Sequence, residues 1–261
     1  PVDMQMADFN EDGTLDYLIC EYGYGAGQVV WVDGKSKQRH TLKSQPGARN
    51  IVIKDYSKDG KPDILVLMAE AKEGVSLFIN KGQGLFVEKP LLQFESVWGS
   101  THMEVADLNQ DGFDDIIISA GDNADNSYSK KAYHGVHVFT NDGKNNFKEG
   151  YFYPAYGATK TLARDFDGDG DLDLAMIAFF PENDKGVNES FLYFQNQGKL
   201  RFQVSNLNLP DDARYMALDA GDFDKDGDID LLLGNFQFGK PKPGVKLTPG
   251  LQIRLLRNTI R

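Results

Sequence analysis

Four short runs of the chain are almost wholly apolar: Ile64–Ala69, Ile116–Ala120 (where Ser119 is the one polar residue), Leu174–Phe180 and Leu231–Leu233. A strand of that composition is covered on both faces, whereas a half-exposed strand alternates apolar and polar residues. Each run follows an acidic, glycine-bearing stretch. The region around the second run predicts a complete unit. Thr101–Leu108 leads into the acidic stretch, Asp115–Ala120 leaves it, and Gly135–Thr140 and Asn146–Tyr153 follow. The last two are joined by Asn141-Asp142-Gly143-Lys144, a hairpin signal. Matching turns stand at Asn80-Lys81-Gly82 and Asn196-Gln197-Gly198. No helical period stands out. The pattern predicts an all-β chain of four-stranded units packed face to face, as the blades of a β-propeller are.

The acidic stretches repeat. Asp8–Asp16 reads DFNEDGTLD, Asp55–Asp63 DYSKDGKPD, Asp107–Asp115 DLNQDGFDD, Asp165–Asp173 DFDGDGDLD and Asp222–Asp230 DFDKDGDID. Positions 1, 5 and 9 are Asp and position 6 is Gly in all five, and the starts lie 47, 52, 58 and 57 residues apart. A period of about 50 residues points to a propeller or solenoid. So many carboxylates in nine residues repel one another unless a cation neutralises them. A hard cation such as Ca²⁺ takes six to eight oxygens, and a tight glycine-bearing loop delivers them. The expected donors are the side chains at positions 1, 3, 5 and 9 and the backbone carbonyl at position 7. By loop these are Asp8, Asn10, Asp12, Thr14 and Asp16; Asp55, Ser57, Asp59, Lys61 and Asp63; and Asp107, Asn109, Asp111, Phe113 and Asp115. The last two loops supply Asp165, Asp167, Asp169, Asp171 and Asp173, then Asp222, Asp224, Asp226, Asp228 and Asp230. With Ser57 at position 3 and Lys58 and Lys61 close by, the second loop is the weakest of the five. An EF-hand is excluded: its position-12 carboxylate is replaced by Ile19, Val66, Ile118, Met176 and Leu233, and strand follows instead of helix.

These loops resemble the D-x-[DN]-x-D-G-x-x-D motif of FG-GAP/VCBS repeats, the calcium-binding β-propeller repeats of integrin α-subunit heads and of many bacterial secreted proteins. The resemblance covers nearly the whole chain. It implies about five structural Ca²⁺ ions and blades near residues 1–46, 47–97, 98–155, 156–211 and 212–261. It also implies a recognition face opposite the calcium loops, formed by the loops between second and third strands and between blades. Only three strands are expected in the fifth blade, and Pro1 stands seven residues before the first loop. Two arrangements remain open: residues ahead of Pro1 that supply a closing strand, further blades or an upstream domain, since this family usually closes with seven, or a self-contained five-blade ring.

Charge changes the picture little. The net charge is −11, but seventeen of the 39 acidic residues sit at side-chain ligand positions of the loops, and five Ca²⁺ would bring the total near −1. The acidity is therefore mostly metal sites, and the absence of a basic face argues against nucleic acid. The single cysteine, Cys20, lies in an apolar run and reads as a buried thiol, so no disulfide framework exists. No apolar stretch reaches membrane-span length. Calcium sites of extracellular modules are often weak and fill outside the cytosol, which points to an extracellular, cell-surface or periplasmic setting.

The function this suggests is a non-catalytic scaffold recognising a protein or a polysaccharide. Candidate contact residues on the loop face are Tyr22, Tyr24, Trp98, His102, Asp122, Asn123, Asp125, Tyr128, Tyr133, His134, Tyr156 and Tyr215. Aromatic rings stack on sugar faces, and planar polar groups bond hydroxyls. The competing class is a polysaccharide lyase or hydrolase acting on acidic glycans, with His102, Tyr133, His134 and Arg214 as weak catalytic candidates. His134 and His137 stand three apart at a strand start and so point to opposite faces, which excludes a shared zinc. No third glycine completes a dinucleotide loop around Gly23–Gly27, and no G-x-S-x-G elbow exists.

Overall fold

The computed structural model describes residues 1–23, 25–70, 72–122, 131–181, 188–207, 209, 213–236 and 252–259. Among them every regular element is a strand, and no helix is long and apolar enough to cross a membrane. The strands form five antiparallel sheets, each built in chain order as a propeller blade is. The first sheet is β1 (Asp3–Ala7), β2 (Asp16–Glu21), β3 (Gln28–Val32) and β4 (Arg39–Lys43). The second is β5 (Ala48–Lys54), β6 (Asp63–Met68), β7 (Gly74–Asn80) and β8 (Phe86–Gln93). The third is β9 (Ser100–Ala106), β10 (Asp115–Ala120), β11 (Gly135–Asn141) and β12 (Phe147–Pro154). The fourth is β13 (Ala158–Arg164), β14 (Asp173–Ala178), β15 (Phe191–Asn196) and β16 (Phe202–Asn206). The fifth holds three strands among the described residues: β17 (Tyr215–Gly221), β18 (Asp230–Asn235) and β19 (Ile253–Leu256).

The chain divides into two compact units, Pro1–Met103 with Lys144–Phe147, and Glu104–Gly143 with Lys148–Arg261. Within each unit the sheets pack face against face, and β14 shows how. All six of its residues are buried. Leu174 and Met176 point one way, into a cluster with Ile117, Val136 and Val138 of the third sheet. Ala175 and Ile177 point the other way, into a cluster with Leu218, Leu231 and Leu233 of the fifth. A two-residue period buried on both sides favours apolar residues at nearly every position, and β6, β10 and β14 carry them after their first aspartate. In the other unit, Leu18, Cys20 and Trp31 of the first sheet meet Ile64, Val66 and Phe78 of the second. The fourth strands face outward instead; every residue of β12 is half-buried or exposed.

β14 stops at Ala178, two residues short of the apolar run Leu174–Phe180. The Phe179 N–H leaves the ladder to donate to the Gly157 carbonyl at 2.9 Å. Ala69 to Gly47 (2.8 Å) and Phe236 to Arg214 (2.9 Å) repeat that exit in the second and fifth sheets.

Candidate metal centres

Each acidic stretch joins the first strand of a sheet to the second and folds in one way. The position-6 glycine N–H donates to the position-1 carboxylate in all five: Gly13 to Asp8, Gly60 to Asp55 and Gly112 to Asp107 at 2.8 Å, Gly170 to Asp165 at 3.1 Å, and Gly227 to Asp222 at 3.2 Å. The position-7 N–H donates to the position-5 Asp in all five as well. These bonds curl the backbone so that the loop's carboxylates converge. The curl needs two left-handed residues. One is the position-6 glycine, with φ between 82° and 98° across the five loops. The other is position 4, where Glu11, Lys58, Gln110 and Lys225 take φ of 59–66° and only the fourth loop has a glycine, Gly168. Sequence reading anticipated the first and missed the second.

The position-9 aspartates, Asp16, Asp63, Asp115, Asp173 and Asp230, have no solvent exposure. Each is gripped on both oxygens. Oδ2 accepts an N–H from the start of its own loop, from Phe9, Ser57, Leu108, Phe166 and Phe223 respectively. Oδ1 accepts the N–H of the residue that ends the third strand or follows it: Gly34, Asn80, Asn141, Asn196 and Asn258. Three of the loop carboxylates have raised pKa values. Burial pushes the Asp115 carboxyl up to about 6, with the Asp111 and Asp107 charges adding to it. Asp173 is raised chiefly by burial, with Asp167 adding, and Asp224 by burial and then by Asp226 and Asp230. A cation in the loop removes that penalty.

The donor geometry fits one. In the fourth loop, oxygens of Asp165, Asp167 and Asp173 lie within 4.8 Å of one another, and in the fifth those of Asp222, Asp224 and Asp226 do. Two oxygens on opposite sides of a Ca²⁺, each 2.3–2.6 Å away, stand about 4.6–5.2 Å apart, so each group fits inside one coordination sphere. The donors are all oxygen, which suits a hard cation. At position 7 the side chain is turned onto the hairpin that ends the third strand. A Cβ on Gly34 would lie 3.1 Å from Thr14, on Gly82 3.4 Å from Lys61, and on Gly143 2.7 Å from the Phe113 ring.

The hairpin asparagines do more than turn the chain. The Asn196 side-chain amide donates to the Leu172 carbonyl of its own loop (3.0 Å) and to the Leu108 carbonyl of the preceding loop (3.3 Å). Its Oδ1 accepts the Gly198 N–H at 3.0 Å. Asn80 does the same with Pro62, Phe9 and Gly82, and Asn258 reaches back to Phe166. One residue thus fastens a hairpin, its own acidic loop and the neighbouring loop.

Several of the loop-face candidates make contacts within the fold. The Tyr22 hydroxyl donates to Glu70 at 2.9 Å, and the Arg49 guanidinium lies 5.8 Å from its ring centre. Trp98 stacks on Phe94 at 4.7 Å. Tyr133 meets His134 edge-on at 5.5 Å, and His134 is fully buried, as is Tyr215. Arg214 lies over Phe179 and Phe180, 5.7 and 5.6 Å from their ring centres. The Tyr156 N–H faces Glu189 at 3.4 Å, and His102 and Asp122 are half-buried. His137 sits between two acceptors, Glu149 Oε1 at 2.7 Å from Nδ1 and the Tyr133 carbonyl at 2.9 Å from Nε2. Tyr24, Asn123, Asp125 and Tyr128 lie outside the described residues.

Comparison with known proteins agrees with the geometry. The T-cell immunomodulatory protein homolog of Plasmodium falciparum (isolate 3D7) is 25% identical over 310 aligned positions, which cover 87% of this chain and 42% of that protein. The chain therefore spans less than half the length of this relative. A family model described as FG-GAP-like repeat matches residues 8–66, 55–118 and 165–233. Those segments take in well over half of the sequence and all five of its acidic loops, and the chain belongs to the FG-GAP-like repeat family.

Proposed function

We propose that this chain is a calcium-stabilised, non-catalytic recognition scaffold working outside the cytosol, with up to five structural Ca²⁺ ions and a protein or polysaccharide ligand on the loop face opposite them. The observation that carries the reading is the fivefold recurrence of one fully buried, doubly gripped aspartate behind a curled carboxylate loop. A buried, unneutralised carboxylate is costly, and a cation bound only by the folded state turns binding energy into folding energy. Two of the four groups weighed for catalysis take part in packing. Arg214 rests on two aromatic rings and His134 is buried. The relative's printed description, a T-cell immunomodulatory protein homolog, favours a protein ligand over a glycan.

The test is a glycan array and a panel of cell-surface ectodomains probed with the chain in calcium and in EDTA, alongside an absorbance assay for unsaturated sugar ends. Binding that needs calcium and leaves glycans intact is the expected result. New sugar double bonds, or release of sugar ends, would overturn the non-catalytic reading.

A further inference from the structure

One position at the end of the third strands differs in chemistry from sheet to sheet. It is the residue just before the one whose N–H grips the position-9 aspartate. The pairing registers place Asp33, Ile79, Thr140, Gln195 and Arg257 there in sheets one to five. In three of the sheets this side chain touches position 3 of the acidic loop.

In the fourth sheet the Gln195 amide donates to Oδ2 of Asp167 at 2.7 Å, while Oδ1 accepts the Asp169 N–H at 3.2 Å. In the first, Asn10 is held in the same two ways. Its amide donates to Oδ2 of Asp33 at 3.0 Å, and its Oδ1 accepts the Asp12 N–H at 3.1 Å. The fifth sheet differs. Arg257 Nε lies 3.6 Å from Oδ2 of Asp224, with the arginine side chain 67% exposed. Asp224 Oδ1 is buried and meets no hydrogen-bond donor among the described residues. In the second sheet Ile79 has no polar group to offer, and in the third the Thr140 hydroxyl donates to the Lys148 carbonyl at 3.2 Å.

A group that touches position 3 stands one side chain away from an ion held by the loop. Groups in that outer shell orient the ligand and tune its charge, and changing one alters metal affinity by about 10–100-fold. Here the group is negative at Asp33, neutral at Gln195 and positive at Arg257. Loops four and five are the informative pair, because both carry aspartate at positions 1, 3, 5, 7 and 9. We propose, building on the calcium reading above, that the third-strand residue sets the order in which these loops take up Ca²⁺. Loop four, whose position-3 carboxylate is steadied by a neutral amide, fills first. Loop five, whose position-3 carboxylate already faces a guanidinium, fills last of the two. Arg257 neutralises part of the loop when the ion is absent and repels the ion when it arrives. The calcium level then sets how many loops are filled, and not only whether they are.

Release of calcium from the loaded chain to indicator dyes of graded affinity tests this, with melting in saturating calcium to confirm that each variant is folded. Arg257→Gln, with Lys225 of the same loop left in place, is expected to tighten one weak site about tenfold. Arg257→Lys keeps the charge and leaves that site weak, and Asp222→Asn abolishes it. Gln195→Arg is expected to weaken a tighter site about tenfold. Terbium in place of calcium assigns that site. The Tyr193 hydroxyl donates to Oδ2 of Asp173 at 2.6 Å, so light absorbed by this ring sensitises an ion in loop four. The emission lost in Tyr193→Phe therefore reports loop four, and its terbium affinity should fall in Gln195→Arg and stay unchanged in Arg257→Gln. Folded variants whose affinities ignore both substitutions overturn the proposal and leave the calcium reading standing. A chain that retains no calcium after passage through millimolar calcium overturns that reading and the proposal together.

Discussion

The backbone N–H of Asn196 donates to Oδ1 of Asp173 at 2.8 Å, tying the end of a third strand to the last residue of its acidic loop. The Asn196 side chain then carries that link across to the preceding sheet through the Leu108 carbonyl. Acidic loop, hairpin and sheet stacking meet in these two residues. Asn196→Ala leaves two buried carbonyls unpaired, each worth about 1–3 kcal/mol. Urea unfolding should show a loss of about 2–4 kcal/mol, allowing for partial access of water. A loss under about 0.5 kcal/mol, the range of neutral surface substitutions, would mean that the asparagine is only a turn residue.

The two left-handed positions of each loop differ in tolerance. Gly170 has φ +94° and Gly168 φ +75°, while four loops already carry a non-glycine at the Gly168 position. Gly170→Ala is expected to cost about 1–2 kcal/mol, and Gly168→Lys less than about 1. Thermal melts of the pair in saturating calcium check the order; the reverse order contradicts the backbone account.

At Gly143 a methyl group would lie 2.7 Å from the Phe113 ring, on a backbone with φ +77°. Gly143→Ala should therefore destabilise twice over, by strain and by displacing the position-7 residue. Phe113→Ala in the same chain should recover the second part and not the first, which a double-mutant cycle on melting or urea midpoints measures. Strict additivity would show that the ring and the glycine are independent.

Cys20 is fully buried, and burial pushes its thiol up to about 12, with the Asp3 charge adding. The reactive thiolate is then scarce at neutral pH. A thiol-reactive probe should leave the calcium-loaded protein unlabelled for as long as the first sheet stays packed, and label it at the rate of unfolding once calcium is chelated. Fast labelling of the loaded protein would place Cys20 outside the core.

Much of this was legible in the residues. The mostly apolar second strands, the N-x-G hairpins and the five D-x-x-x-D-G loops each carry a local rule, and the strands formed within a residue or two of where those rules put them. What stayed hidden depends on neighbours distant in sequence. Asn80 and Asn196 read as turn residues because Asn-x-G is sufficient reason for asparagine, which conceals the reach to Phe9 and Leu108. The left-handed conformation of Glu11, Lys58 and Lys225 left no mark, since nothing about those side chains asks for it. Tyr215 and His134 carry the same atoms in a core as on a surface, and only packing places them inside.

The central claim is that the acidic loops hold the sheets together through bound cations, and thermal unfolding in millimolar calcium against EDTA tests it most directly. Each site filled at 100 times its dissociation constant adds about 2.7 kcal/mol, and a chain of this size shifts by about 2–4 °C per kcal/mol. The account predicts a fall in Tm of more than about 10 °C in EDTA, restored by calcium in excess. A melting curve that superimposes in the two buffers would contradict it.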